Sequence, residues 1–178
     1  VTIQEADEVR EALLSGWITT GPRTKEFERQ IAEFCESKVA VCQSSATACL
    51  EAILRILGVG PGDEVITSAY TYTATASPVC HVGAKLVFVD TKPDSYEMDY
   101  EKLAEAINEN TKVVIPVDIG GVPCDYAAIN KVAEAKRHLF KPANKIQEAI
   151  GHLIVVDDAA HAFGASWHVK MIGSVSDF

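Results

Sequence analysis

The sequence has no C-x-x-C pair, no run of ~20 uninterrupted apolar residues, and no G-x-G-x-x-G following any predicted strand. Each absence removes a class of protein. Five cysteines, Cys35, Cys42, Cys49, Cys80 and Cys124, are odd in number and mostly in apolar settings, which argues against a disulfide framework or structural zinc. They are expected to be reduced, packed thiols, and no metal site is expected. The missing apolar run argues against a membrane-spanning helix, and the acidic start, Val1 to Arg10, lacks the basic and apolar regions of a signal peptide. A soluble, cytoplasmic chain is therefore the expectation. Positive charge is also scarce: 16 Lys and Arg face 25 Asp and Glu, for a formal charge of −9. That disfavours a nucleic-acid surface, which needs clustered cations, but not local binding of a phosphorylated small molecule.

What is present is an alternation of helical and strand patterns across 178 residues that are 48% hydrophobic. This suits one well-buried core in an α/β protein with a mainly parallel sheet. Helices are predicted at Glu5 to Leu14, then on a face carrying Phe27, Ile31, Phe34 and Cys35. Further helices are predicted at Ala48 to Leu57, stopped by Gly58, from Tyr70 to Ser77 before Pro78, at Asp99 to Asn108, and at Tyr126 to His138. Strands are predicted at Val39 to Cys42, Glu64 to Thr67, Lys85 to Val89, Lys112 to Val117 and Leu153 to Val156. The stretch Leu139 to Ile150 exceeds the usual helix-to-strand connection and reads as a surface insertion. No repeat or low-complexity tract interrupts the chain, so no internal domain boundary is expected.

Three places can carry chemistry. Ser44-Ser45-Ala46-Thr47 lies between a strand and a helix, where free N–H groups and the helix dipole favour an anion; a plain helix cap reads equally from these residues. Asp157 and Asp158 follow an apolar strand at the carboxyl edge of the sheet, where ligands usually bind, and strand alternation sends their side chains to opposite sides. An acid there can hold a cationic ring nitrogen or simply cap a helix. His161 comes one helical turn after Asp158 if the segment coils, and Tyr70 and Tyr72, after the second predicted strand, can stack on a planar ligand or pack in the core.

Together, Gly16-Trp17-Ile18-Thr19-Thr20-Gly21-Pro22, Ser44-Ser45-Ala46-Thr47, Gly62-Asp63-Glu64-Val65-Ile66-Thr67 and Asp157-Asp158-Ala159-Ala160-His161-Ala162-Phe163-Gly164-Ala165 resemble the DegT/StrS family of sugar-nucleotide aminotransferases in order and spacing. The resemblance implies the aspartate-aminotransferase-like (fold type I) large domain, with pyridoxal 5'-phosphate at the carboxyl edge of a mainly parallel sheet with flanking helices, and a homodimer. It assigns Ser45, Ala46 and Thr47 to the cofactor phosphate, Tyr72 to the ring face, and Asp158 to the pyridine nitrogen. His161 is placed near the phenolic oxygen, and Thr20 and Gly21 at the substrate. Asp158 and His161 are the residues it gives a catalytic part.

The family's Schiff-base lysine is expected roughly ten residues after a G-S-x-x-D-F-like stretch, a loop-scale count. Gly173 to Phe178 matches that stretch, so residues 1–178 are read as the truncated N-terminal part of the large domain. The remaining large-domain strands and the small domain fall outside them, and Lys170 precedes the match. Asp118 stands where many relatives have histidine. The reaction implied is transfer of an amino group, from glutamate, to a keto sugar linked to a nucleotide, for surface-polysaccharide or modified-sugar synthesis. A sugar dehydratase of the same family, with histidine for lysine, and a non-catalytic cofactor-binding or dimerisation module are the alternatives. The 178 residues by themselves are expected to be inactive.

Overall fold

The computed structural model describes residues 1–178 and divides them into two compact units, Val1–Cys42 and Gln43–Phe178.

In the first unit, α1 (Ile3–Leu14) starts at Thr2, whose hydroxyl and backbone N–H both engage Glu5 in a capping box. The second helix, α2 (Pro22–Phe34), begins with Pro22 at its first position, where the missing N–H costs nothing. Gly21 precedes it in extended conformation, and a Cβ there would fall 2.0 Å from the Trp17 indole nitrogen, which donates to the Thr20 carbonyl at 3.1 Å. The predicted helix carrying Phe27, Ile31 and Phe34 forms, with Phe27 and Phe34 half exposed and Cys35 buried. One expectation fails in this unit. Val39 to Cys42 forms no strand: Val39 and Val41 are exposed, and the Cys42 N–H donates to the Glu28 carboxylate at 3.0 Å instead of to a sheet neighbour. Apolar, β-branched composition without a partner edge does not make a strand.

The second unit is a parallel four-stranded sheet in the order β2-β1-β3-β4, formed by β1 (Glu64–Ser68), β2 (Lys85–Val89), β3 (Thr111–Ile115) and β4 (Ile154–Val155). Helices α3 (Ala46–Ile56), α4 (Thr73–His81), α5 (Tyr100–Ala106), α6 (Tyr126–Ala135) and α7 (Lys145–Ile150) connect or flank the strands. A short antiparallel pair, β5 (Ser166–Trp167) and β6 (Lys170–Met171), follows. The inner strands β1 and β3 are buried along their whole length, as a parallel sheet covered on both faces requires. Alternation divides their side chains. Val65, Val113, Ile115, Ile154 and Val156 pack with Leu50, Leu54 and Leu57 of the α3 region and Val79 of α4. Ile66, Val114 and Val155 pack with Leu103, Tyr126 and Ile129 of α5 and α6.

Several predicted boundaries move. The α4 helix runs through Pro78: proline removes one helical N–H, and the neighbouring packing of the buried Thr75, Pro78 and Val79 outweighs that loss. The helix predicted to reach His138 ends at Ala135 and continues as a single 3-10 turn, Arg137–Leu139. Cys42 and Cys80 are exposed and Cys49 is half-buried, so the expectation of packed thiols holds in full for Cys35 and Cys124, and none of the five forms a disulfide.

The stretch read as a surface insertion is largely structural. Asn144 caps α7, and Gln147 inside it is fully buried. The side-chain amides of Asn144 and Gln147 donate to the Leu57 carbonyl at 2.7 and 2.8 Å, while the Gln147 carbonyl oxygen accepts from the Ala143 N–H at 2.9 Å. These bonds satisfy the carboxyl end of α3, which Gly58 closes with φ of +70°. Replacing Gln147 with alanine removes both bonds inside the core, so Gln147→Ala should destabilise the chain by about 2–3 kcal/mol. Exposed Glu148→Ala should cost less than about 0.5 kcal/mol. Urea unfolding of the two variants checks this; equal midpoints would mean that the amide network contributes nothing.

Candidate functional site

The carboxyl ends of β1, β3 and β4 open onto one cleft of about 120 Å³. Its wall includes Ala46 and Thr47 from the start of α3, Thr71, Tyr72 and Thr75 after β1, Val117 to Ile119 after β3, and Asp158 and His161 after β4. This is the crevice that a parallel sheet leaves outside its strand ends. Of the sequence-predicted residues, Ala46, Thr47, Tyr72, Asp158 and His161 come together there. Ser45 adjoins them as the cap of α3. Thr20 and Gly21 belong to the Val1–Cys42 unit and are placed within it.

At the start of α3 the Ser45 hydroxyl accepts from the Ala48 N–H at 3.1 Å, and the Ser45 carbonyl accepts the first helical bond, from Cys49. The cap therefore uses the third N–H of the helix and leaves the N–H groups of Ala46 and Thr47, at the positive end of the helix dipole, without helical partners. Capping and anion binding, alternatives in the sequence, are compatible here because they use different N–H groups.

Asp158 sits where the β3–β4 ladder ends, bridged in parallel to Val117. Its N–H donates to the Pro116 carbonyl at 3.0 Å, and its carbonyl accepts from the Asp118 N–H at 3.2 Å. Its carboxylate is held at both oxygens. Oδ2 lies 2.5 Å from the Thr75 hydroxyl and Oδ1 accepts from the Ala160 N–H at 3.3 Å. Thr75 is itself 2.7 Å from the Thr71 hydroxyl. Neither threonine was singled out in the sequence; a polar residue in the first turn of a helix that opens at a strand's carboxyl end is the signal that points to Thr75.

Asp157 points to the other face, as strand alternation requires. Both of its carboxyl oxygens are buried without a hydrogen-bond partner, and one oxygen of Asp118 is orphaned as well. The other Asp118 oxygen accepts from the Cys124 N–H at 2.8 Å and the Tyr126 hydroxyl at 3.1 Å. Burial pushes the Asp157 carboxyl up to about 8, helped by the negative charges of Asp118 and Asp158 and opposed by the Tyr126 hydroxyl. Burial likewise raises Asp118. A single tyrosine proton cannot satisfy two carboxylates, and of the two it is Asp118 that receives it.

His161 lies in a turn, closed by the Ala162 N–H to the Ala159 carbonyl, and not in a helix. Its Nδ1 accepts from the Gly120 N–H at 3.3 Å, leaving Nε2 to carry the proton of the neutral ring. Gly121, at φ +80°, comes so close that a Cβ would lie 3.0 Å from the His161 carbonyl oxygen. This loop against His161 thus depends on the glycine pair. Tyr72 stands just before α4 without a side-chain capping bond, is largely exposed and lines the cleft. Tyr70 stacks on Tyr96 with ring centres 4.9 Å apart, so of the two tyrosines only Tyr72 faces the site.

Among known proteins, Spr1654 of Streptococcus pneumoniae, solved in PLP, PMP and apo forms, superposes with a TM-score of 0.98 at 49% identity over 99% of this chain and about 45% of its own. The spore coat polysaccharide biosynthesis protein SpsC of Bacillus subtilis is 41% identical over 98% of this chain and 41% of its own length. The UDP-4-amino-4-deoxy-L-arabinose–oxoglutarate aminotransferase of Shewanella sediminis is 38% identical over 96% of this chain and 40% of its own. The chain thus spans about two fifths of the length of the curated relatives it matches. The fold-type-I architecture with a parallel sheet is shared with these structures. The match to the DegT/DnrJ/EryC1/StrS aminotransferase family runs over residues 2–178, and the chain belongs to that family.

Proposed function

We propose that residues 1–178 are the cofactor-binding part of a pyridoxal 5'-phosphate-dependent aminotransferase that transfers an amino group from glutamate to a nucleotide-linked keto sugar. The carrying observation is that Ala46, Thr47, Tyr72, Asp158 and His161 line a single cleft. The donor set suits the cofactor. Unpartnered N–H groups at the start of an 11-residue helix suit a phosphate, a buried carboxylate suits a protonated ring nitrogen, and an exposed aromatic suits a ring face. When bound, this cofactor supplies an electron sink for charge that develops on the substrate carbon.

The chain's own residues would do the rest. Ala46 and Thr47 bind the phosphate, with Ser45 fixing the helix start. Tyr72 covers the ring. Asp158, at the ring nitrogen, holds a proton on that atom through its negative charge, and His161 sits toward the phenolic oxygen. Thr20 and Gly21 belong to the substrate side of the proposal. No lysine lines the cleft, so the covalent anchor of the cofactor is assigned to residues outside 1–178, in keeping with the greater length of the relatives. The nucleotide-sugar substrate is supported by the arabinose aminotransferase relative, and a role in polysaccharide synthesis by SpsC. A homodimer acting in the cytoplasm completes the proposal.

The test is an assay of the full-length protein with pyridoxal phosphate, glutamate and keto sugars linked to UDP, dTDP or GDP. An aminated sugar nucleotide and 2-oxoglutarate are expected; no product from any of the three would reject the assignment.

Two acids next to each other in sequence should behave differently. Asp158→Asn should lower single-turnover amino transfer on the order of a thousandfold, the scale of removing a preorganised charge partner. Asp157→Asn should cost far less. A greater loss at Asp157 would mean that the wrong acid has been set against the ring.

Asp157 instead should show itself in stability. With its carboxyl raised to about 8, the folded state binds more protons than the unfolded state between about pH 4 and 8. Stability therefore falls as pH rises through that window. Asn has no proton to lose, so Asp157→Asn should gain on the natural protein by more than about 1 kcal/mol between pH 5 and pH 8. Urea midpoints at the two values measure this, and a gap that stays constant or shrinks rules out a buried, protonated Asp157.

A further inference from the structure

The contact between Thr75 and Asp158 has a definite proton order. A carboxylate only accepts, so the Thr75 hydroxyl, 2.5 Å from Asp158 Oδ2, must donate to it. Thr75 has then spent its one proton, and the Thr71 hydroxyl, 2.7 Å away, must donate to Thr75. The chain of donation runs Thr71 to Thr75 to Asp158. Thr75 is 1% exposed. It sits in the first turn of α4, which is fixed against the sheet by the fully buried Val79.

We propose that Thr75 is the positioning residue for the Asp158 carboxylate, with Thr71 as the donor that sets its hydroxyl. This rests on the reading of Asp158 as the partner of the cofactor's ring nitrogen. The contact does two things for that carboxylate. It helps fix the rotation about the last side-chain bond, because Oδ2 is pinned by Thr75 and Oδ1 by the Ala160 N–H. And it does so from one side, leaving the remaining lone pairs for a ligand in the cleft. Thr75 does not itself need to touch the cofactor, although it contributes to the same wall.

The experiment is titration of the full-length protein with free pyridoxal phosphate, followed by absorbance, for the natural sequence and for Thr75→Val, Thr75→Ser, Asp158→Asn and the Thr75→Val/Asp158→Asn double variant. Valine keeps the shape of threonine and removes the donor. Thr75→Val should weaken binding about tenfold, the scale of one hydrogen bond to a charged group. Thr75→Ser should restore it to within about threefold, and in the Asp158→Asn background Thr75→Val should add less than about twofold. Weakened binding in Asp158→Asn with none in Thr75→Val would overturn the role of Thr75 while leaving that of Asp158 standing. No weakening in Asp158→Asn would overturn both. An equal loss from Thr75→Val with and without Asp158 would show that the hydroxyl serves only the packing of α4, which also ends the proposal. Should Thr75→Val not fold, Thr71→Val takes its place with an expected loss of roughly threefold through the coupled hydrogen bonds, and unchanged binding there counts against the relay.

Discussion

The parallel register of β3 and β4 is the constraint on which the site depends. Val113 pairs with Ile154 and Val114 with Val155, and the ladder runs on past the strands to the bridge between Val117 and Asp158. Because side chains alternate, this register sends Val156 and Asp158 to the face of α3 and α4, and Val155 and Asp157 to the face of α6. A slip of one residue would exchange the two acids. The register is fixed by what lies below it: Val113, Ile115, Ile154 and Val156 are fully or almost fully buried in one core, and Val114 and Val155 in the other. Hydrophobic burial on two faces thus decides which carboxylate meets the cleft.

The same register brings three aspartates to adjoining strand ends, and they are handled in different ways. Asp158 has a donor on each oxygen; Asp118 has two donors on one oxygen and none on the other; Asp157 has no partner at either. Three full charges so close together in a half-dry setting repel, and the group with fewest donors gives way first by keeping its proton. Donor placement, not the mere presence of an acid, separates the carboxylate held at both oxygens from the one left to keep its proton.

Much of this was legible in the sequence. The alternation of strands and helices, the strand before Asp157, the cap at Ser45 and the glycine turns are local signals, and each leads to an element that forms. The resemblance to the family named five residues that line the cleft, four of them within its motifs. What local signals could not carry was long-range. Gln147 looked like part of an inserted loop because its partner, the Leu57 carbonyl, is 90 residues away in sequence. Thr75 looked like one threonine among several because its partner Asp158 is 83 residues away. The apolar run at Val39 looked like a strand because sequence shows propensity but not the neighbouring edge. Pro78 looked like a stop because its cost is local, whereas the packing that outweighs it is tertiary.

Charge arrangement in the cleft narrows what it can hold. One part of its wall carries the N–H groups that begin α3, with the positive end of its dipole, and another carries Asp158, with Asp118 also in the lining. No lysine or arginine lines it. A simple anion would be favoured at the first part and opposed at the second, and a simple cation the reverse. A ligand with a phosphate at one end and a protonated ring nitrogen at the other satisfies both without a basic side chain. The distance between opposite charges is then set by the spacing of the α3 start and the β4 end, two rigid elements anchored in the same core through Leu50, Leu54, Ile154 and Val156. A planar ligand carrying both charges would suit such a wall, and the aromatic face of Tyr72 adds the third criterion, that the part between the charges be flat.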